Sequence, residues 1–341
     1  MIVAQLKTRY PNADIDVLSA DPASTARVFG VHATPRADIA RVKQAISRAD
    51  VVLSGGGGLL QNSTSLRSLL YYAGILRAAI RSGRKTMIFG QSIGPLDFWG
   101  KRIVRKWCFG TSRATVRDSR SYALLKPLLA TTPVERTADP VFLYDAPGDG
   151  GDLTLEGLGP GSDPLVVVSV RKAPDMHQGT SLIARCVDRM TERHGARVAF
   201  LPLGGAGDAE ISTAIIRKCR THPTLLPSCD LSRAANIIKR AHVVIGMRLH
   251  ALILAVRYGV PFLAIPYDPK VAALCEDLAY PLAPLWAPGK RSAPHGAELN
   301  RLTDQVWLER EALARGLLDV SASLHDLAAR NFGALDELVR E

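Results

Sequence analysis

A chain of 341 residues, 47% hydrophobic and 22% charged, has the balance of a soluble globular protein and more length than one core needs, so two domains are expected. No uninterrupted apolar run is long enough to span a bilayer, and five scattered cysteines without a C-x-x-C pair argue against a disulfide frame and a zinc site. The net charge of +11 would suit nucleic acid, but dispersed arginines and only 6% aromatics give no base-stacking surface, leaving a solvated basic face or attraction to anionic lipid headgroups.

The N-terminus has no charged leader, apolar core and cleavage site, so a cytoplasmic location is expected, with the inner face of the cell membrane as a second possibility. Ile2 to Tyr10 is helical in pattern with no strand ahead of it, and an α/β domain usually opens on a strand. The first domain therefore reads as lacking its opening strand. Ile15–Ser19, Val51–Ser54, Thr86–Gly90 and Ala114–Arg117 read as strands, and Leu66–Arg81, Trp99–Phe109 and Ser119–Ala130 have helical spacing. Asp145 to Asp163 is crowded with Gly, Pro and Asp and reads as a linker. Beyond it, Leu165–Val170, Val198–Leu201, Val243–Gly246 and Phe262–Ile265 read as strands. Helices near Thr180–His194, Asp208–Arg220, Arg233–Arg240 and Leu249–Arg257 separate them, and Leu302 to Arg340 reads as one or two helices. The alternation predicts an α/β protein with two doubly wound parallel-sheet domains facing a cleft. Their expected bounds are 1–146 for the first domain, 147–163 for the linker and 164–319 for the second, with a terminal helix over 320–341 packing back on the first.

Chemistry is expected where strands run into helices, because ligands bind at the carboxyl edge of a parallel sheet. Val243-Val244-Ile245-Gly246 leads into Met247-Arg248-Leu249-His250-Ala251. Arg248 brings a fork that fits a carboxylate or phosphate, and His250 brings a group that moves a proton near neutral pH. Arg171 ends the run Val168-Ser169-Val170, and Lys270 follows Tyr267-Asp268-Pro269 at a further junction. Three cationic junctions in one domain point to an anion site, against the blander reading of helix-start residues satisfied by backbone. Pro202-Leu203-Gly204-Gly205 and Asp208 complete the rim, with Asp208 expected as an N-cap. In the first domain, Ser54 is followed by Gly55, Gly56, Gly57 and Gly58, then by Asn62, Ser63, Thr64 and Ser65. This can be a tight turn or a binding loop whose backbone approaches a ligand closely. Gln91-Ser92-Ile93-Gly94-Pro95 is a structural turn or a second wall. Arg117-Asp118 ends another strand, with Asp118 expected to cap a helix, and Asp139-Pro140 reads as a turn. The eight histidines show no ligand spacing, so no metal is expected.

With these residues in hand, the stretches LSGGGGLLQNSTSLRSLLYY, GQSIGPL, TVRDSRS, ADPVF, VSVRK, IGMRLHALILA and YDPKV, spread from Val51 to Val271, resemble the polysaccharide pyruvyl transferase family, close to its bacterial cell-wall branch. The resemblance implies a fold like that of GT-B glycosyltransferases. It implies no cofactor, phosphoenolpyruvate as donor, and a cyclic pyruvate ketal formed on two hydroxyls of a hexose or N-acetylhexosamine. In the cell-wall branch the acceptor is lipid-linked, so peripheral membrane contact is a further expectation and nucleic acid is not. His250 and Arg248 are then the expected catalytic residues. Arg171, Arg248, Lys270 and Arg117 are expected to hold the donor, and Gly56, Gly57, Gly58, Asn62 and Ser63 the acceptor. The family usually begins with a strand and a Gly-rich turn that this sequence lacks, which implies an earlier start or a shortened copy. A sugar-nucleotide glycosyltransferase of the same fold and a non-catalytic glycan- or lipid-binding protein are the alternatives.

Overall fold

The computed structural model describes residues 1–63, 65–146, 163–173, 176–285 and 296–341. Thr64 and nearly all of the Gly- and Pro-rich linker lie outside these residues. The chain divides into two compact units, Met1–Tyr144 with Leu324–Glu341 and Asp145–Ser323.

The first unit opens on helix α1 (Ile2–Arg9). It continues through β1 (Asp16–Ser19), α2 (Pro22–Phe29), β2 (His32–Pro35), α3 (Ile39–Arg48), β3 (Val51–Gly55), α4 (Leu66–Arg81) and β4 (Lys85–Gln91). α5 (Phe98–Trp107), β5 (Arg113–Val116), α6 (Ser119–Leu125), β6 (Val134–Arg136) and a 3-10 turn at Pro140–Leu143 follow. Strands β3-β4-β5-β6 make one parallel sheet, while β1 and β2 pair only with each other, also parallel. The expectation of one sheet here is corrected to two. β1 lies within the expected strand Ile15–Ser19, and β2, four residues, half-exposed and containing His32 and Pro35, has no strand signal in the sequence.

The four-stranded sheet alternates faces as its pleat requires. Ile88, Ala114 and Val116 point to a core with Leu69, Ala73 and Leu76 of α4, Val104 of α5 and Leu125 of α6. Met87 and Phe89 point the other way, against Phe332, Leu335 and Leu338 of the terminal helix and Ile2, Leu6 and Tyr10 of α1. Helices thus cover both faces.

The second unit runs β7 (Leu165–Ser169), α7 (Met176–His194), β8 (Arg197–Phe200), α8 (Ala206–Ile216), β9 (Thr224–Leu225), α9 (Leu231–Lys239), β10 (Val243–Gly246), α10 (Leu249–Arg257), β11 (Phe262–Ala264), α11 (Pro269–Asp277) and α12 (Gly296–Leu308). Helix α13 (Arg310–Arg340) starts in this unit and ends in the first. Its sheet is parallel throughout, in the order β11-β10-β7-β8-β9. Val166, Val168, Val243, Ile245 and Phe200 pack on α7 and α12 through Ile183, Val187, Met190, Leu302 and Val306. α10 is apolar all round, from Ala251 to Val256, and buries that whole stretch, as a helix inside a core must. Among the described residues no helix is long and apolar enough to cross a membrane.

Candidate active site

The register of the second sheet sets a common edge. Gly246 of β10 lies beside Ser169 of β7 and Ala264 of β11, and Val168 lies beside Phe200 of β8. The backbone leaves that edge under control: Ser169 accepts from Met247 N at 2.8 Å, and its hydroxyl donates to Leu201 O at 3.0 Å. Two residues past the edge on β7 stands Arg171, and two past it on β10 stands Arg248. Both cations therefore leave neighbouring strands at the same level. Arg171 donates from Nη1 to the Tyr267 hydroxyl at 2.9 Å, with its guanidinium 4.7 Å from the centre of that ring. Tyr267 follows β11, so one contact spans the three strands β7, β10 and β11.

Arg248 is N-cap of α10 without a side-chain cap bond. Its side chain turns instead to Asp208, with Nε donating to Oδ2 at 2.7 Å and Nη2 to Oδ1. The Asp208 side chain is 3% exposed and that of Arg248 25%, so a buried carboxylate holds a cation whose edge meets solvent. Asp208 Oδ2 also accepts from Gly204 N at 2.8 Å. Asp208 is therefore not the expected N-cap. That place belongs to Gly205, and Asp208 sits inside the first turn of α8, where the partial positive charge of the helix start adds to the pull of Arg248. The pair lies flat on Gly204, where a Cβ would stand 1.8 Å from Arg248 Nη2.

His250 is exposed one residue into α10, and Lys270 is half-buried at the second position of α11, whose N-cap Asp268 accepts from Lys270 N at 2.9 Å. Among the described residues no group of three His, Cys, Asp or Glu side chains could hold a metal ion.

In the first unit the strand β3 is followed by Gly56 and Gly57, both in the left-handed region at φ 69° and 70°. Left-handed backbone is open to glycine at no steric cost. Gly56 N donates to Phe89 O at 3.0 Å and Gly57 O accepts from Ser92 N at 2.9 Å, which ties this loop to the one after β4. Asn62 Oδ1 accepts from Asp97 N at 3.2 Å, and Ser63 donates to the Gln61 side chain at 2.7 Å. Arg117 donates from Nε to Ser92 Oγ at 2.7 Å and from Nη1 to Asp139, with both ion-pair side chains only 6% exposed. Asp118 caps α6 through Ser121 N at 2.7 Å and accepts from Ser92 Oγ at 2.8 Å. Arg117 is thus part of a buried network in this unit, while Arg171, Arg248, His250 and Lys270 share one sheet edge in the other.

The partners Asp208 and Tyr267 and the seat at Gly204 were not assigned these roles by sequence reasoning. Gly-Gly followed by an acid after a strand was visible, but the pairing of that acid with Arg248 depends on which strands are neighbours.

By fold this is a GT-B-type α/β protein with parallel sheets. Over 100% of its length it superposes on 95% of Anabaena Alr3699/HepE, solved in complex with UDP-glucose, with a TM-score of 0.66 and 12% identity. The S. aureus MnaA–UDP structure matches 99% of this chain and 92% of its own, with a TM-score of 0.67 and 10% identity. The Neisseria meningitidis UDP-GlcNAc 2-epimerase bound to UDP-GlcNAc matches 98% and 95%, with a TM-score of 0.65 and 9% identity. No curated protein matches in sequence. The chain belongs to the polysaccharide pyruvyl transferase family, whose model matches residues 2–269.

Proposed function

We propose that this protein transfers the enolpyruvyl carbon of phosphoenolpyruvate onto two hydroxyls of one sugar in a cell-wall or surface polysaccharide precursor, forming a cyclic ketal and releasing phosphate. The observation that carries this reading is the set of cations beyond one parallel sheet edge, Arg171 after β7, Arg248 after β10 and Lys270 after β11. Phosphoenolpyruvate presents a carboxylate and a phosphate close together, and guanidinium forks match both. Nε and one N–H of Nη2 of Arg248 go to Asp208, and the rest of its five donors serve the ligand. Asp208 acts by fixing the plane of that fork before the ligand arrives, which spares the entropy of ordering it on binding.

In the reaction a proton is added to the methylene carbon and C2 gains positive character. One sugar oxygen bonds to C2, the bond from C2 to the phosphate oxygen breaks, and the second sugar oxygen closes the ring. Of the two hydroxyl protons lost by the sugar, one balances the new methyl group and the other leaves with phosphate. His250 is the group assigned to this proton movement, as acid toward the methylene or base toward a hydroxyl. Gly56, Gly57, Gly58, Asn62 and Ser63 are assigned to a hexose or N-acetylhexosamine acceptor. Arg117, the further residue assigned to the donor, has its fork held by Ser92 and Asp139.

The test is phosphate release from phosphoenolpyruvate with and without hexose and N-acetylhexosamine glycosides, free and lipid-linked, with mass spectrometry of each sugar. Acceptor-dependent release with a pyruvylated product is the expected result. Folded protein that binds UDP-sugars and never releases phosphate from phosphoenolpyruvate would overturn the proposal.

A further inference from the structure

Helix α5 carries a surface that the proposed chemistry does not use. Residues 98–112, FWGKRIVRKWCFGTS, contain four cations and no carboxylate. The helix buries Gly100, Val104 and the following Cys108, with Ile103 and Trp107 half-covered. What remains outside is Phe98, Trp99, Lys101, Arg102, Arg105 and Lys106, followed by Phe109 just past the helix end. Phe98, Trp99 and Phe109 are 65%, 64% and 62% exposed. Three large aromatics left in water on one short stretch go beyond the single exposed apolar residues that every surface has.

The spacing makes the pattern specific. Phe98, Arg102 and Arg105 stand at i, i+4 and i+7, which is one stripe of the helix, and Phe109 lies two residues past its last residue. Arg102 lies over the Phe98 ring at 5.7 Å, and Phe98 and Trp99 meet edge to face at 5.4 Å. Asp97, the nearest acid in sequence, is held as N-cap by Gly100 N at 2.7 Å.

We infer that the outer face of α5 docks the protein on an anionic lipid surface, with Phe98, Trp99 and Phe109 entering the interfacial layer and Lys101, Arg102, Arg105 and Lys106 meeting the headgroups. Aromatic rings settle at the depth of the headgroups, and basic side chains beside them add attraction that falls with salt. A base-stacking surface would not need aromatics at both ends of the stripe. The same end of α5 touches the loop assigned to the acceptor, since Asn62 Oδ1 holds Asp97 N at 3.2 Å and a Cβ on Gly100 would lie 3.0 Å from Asn62. A sugar carried on a membrane lipid would then be met beside the surface that holds it. The docking argument itself rests on α5 alone.

The test is co-sedimentation of the whole chain with phosphatidylcholine vesicles, with and without about 30% phosphatidylglycerol, at about 0.1 M salt. No donor or acceptor is present, so failure of the ketal chemistry and failure of docking are read separately. The wild type is expected to bind the anionic vesicles and to leave pure phosphatidylcholine largely unbound. The pair Phe98→Ser with Trp99→Ser and the pair Lys101→Glu with Lys106→Glu should each lower the partition constant by about tenfold or more. The pair Lys43→Glu with Arg48→Glu, exposed on α3, makes the same charge change elsewhere and should lower it about threefold at most. Thermal melts check that each variant is folded, and the charge pair decides if the serine pair is not. Absence of wild-type binding, or equal loss from the α3 pair, would overturn the inference. So would self-association or oligonucleotide binding that the α5 variants abolish while vesicle binding persists.

Discussion

Gly204 shows how much of the candidate site rests on a residue with no side chain. Its Cα lies under the Arg248–Asp208 pair, and a methyl group there would stand 1.8 Å from Nη2 and 2.5 Å from Cζ of Arg248. The guanidinium must move away from such an overlap, and moving it disturbs the fork it now makes on Asp208. Gly204→Ala is therefore expected to weaken phosphoenolpyruvate binding nearly as much as Arg248→Ala. Each loses charge-assisted bonds of about 1.5–3 kcal/mol, or about 10- to 150-fold in dissociation constant. Titration calorimetry with phosphoenolpyruvate measures both, and an unchanged constant in Gly204→Ala would show that Arg248 does not need its seat. His250→Ala should behave differently, lowering turnover by about 100-fold or more with donor binding little changed. Turnover equal to the wild type removes His250 from the proton transfer. Legibility at this scale was uneven. Arg248, Arg171 and Lys270 stood out because each follows an apolar run that had to be a buried strand. Asp208 reads as a cap because an acid early in a helix usually is one, while its partner Arg248 lies forty residues later, just past β10.

At the level of elements, sequence patterns worked best where burial is one-sided or complete. Leu66–Arg81, Val243–Gly246 and Leu249–Arg257 coincide with α4, β10 and α10 to the residue: Ser65 caps an amphipathic α4, while β10 and α10 are apolar runs buried along their length. β2, α2, α3 and α11 were not foreseen. β2 is half-exposed and holds a proline, α2 has no fully buried residue, and α3 buries only Val42 and Ile46. α11 begins at Pro269, in the junction that carries Lys270, although its helical extent was not drawn. Partners across elements were equally hidden. Asp304 on α12 ties that helix to α7, accepting from Arg189 Nε at 2.7 Å and from Nη2, and lying 3.0 Å from His194 Nε2. Hydrogen bonding from Arg189 above all, then from His194, holds this carboxyl below the usual carboxylate range despite burial. A depressed native pKa stabilises the fold above the ordinary carboxylate value, near 4, and that contribution fades as pH falls through the native value. Asp304→Asn should lower the melting temperature at pH 7, and the gap to the wild type should narrow from about pH 4 downward. A gap that stays constant from pH 7 to about pH 3 would mean that Asp304 contributes shape and not charge.

For the whole molecule, the alternation of short apolar runs and amphipathic stretches carried the parallel α/β class, because strands buried on both faces must read as continuous Val, Ile and Leu. What alternation does not reveal is that one helix serves two cores. α13 belongs to the second unit as far as Ser323 and to the first from Leu324. There Phe332, Leu335 and Leu338 close the sheet face that Met87 and Phe89 present, with Phe332 edge to face on Phe89 at 4.9 Å and 71°. Asn331 pins the same turn through Ala138 O at 2.9 Å and the Thr137 hydroxyl at 2.8 Å. A chain ending at Ser323 would leave that face only the partial cover of Ile2, Leu6 and Tyr10 on α1, too little to keep Phe89 and Met87 dry. It should lose the cooperative calorimetric transition of the first unit and bind a hydrophobic dye. The residues assigned to phosphoenolpyruvate, Arg171, Arg248 and Lys270 with Asp208 and Tyr267, all lie between Asp145 and Ser323. The shortened chain should therefore keep its dissociation constant for phosphoenolpyruvate within about twofold, the scale on which distant sites act independently. Loss of donor binding together with the first unit would mean that the donor site draws on residues outside the second sheet edge, Arg117 first among them.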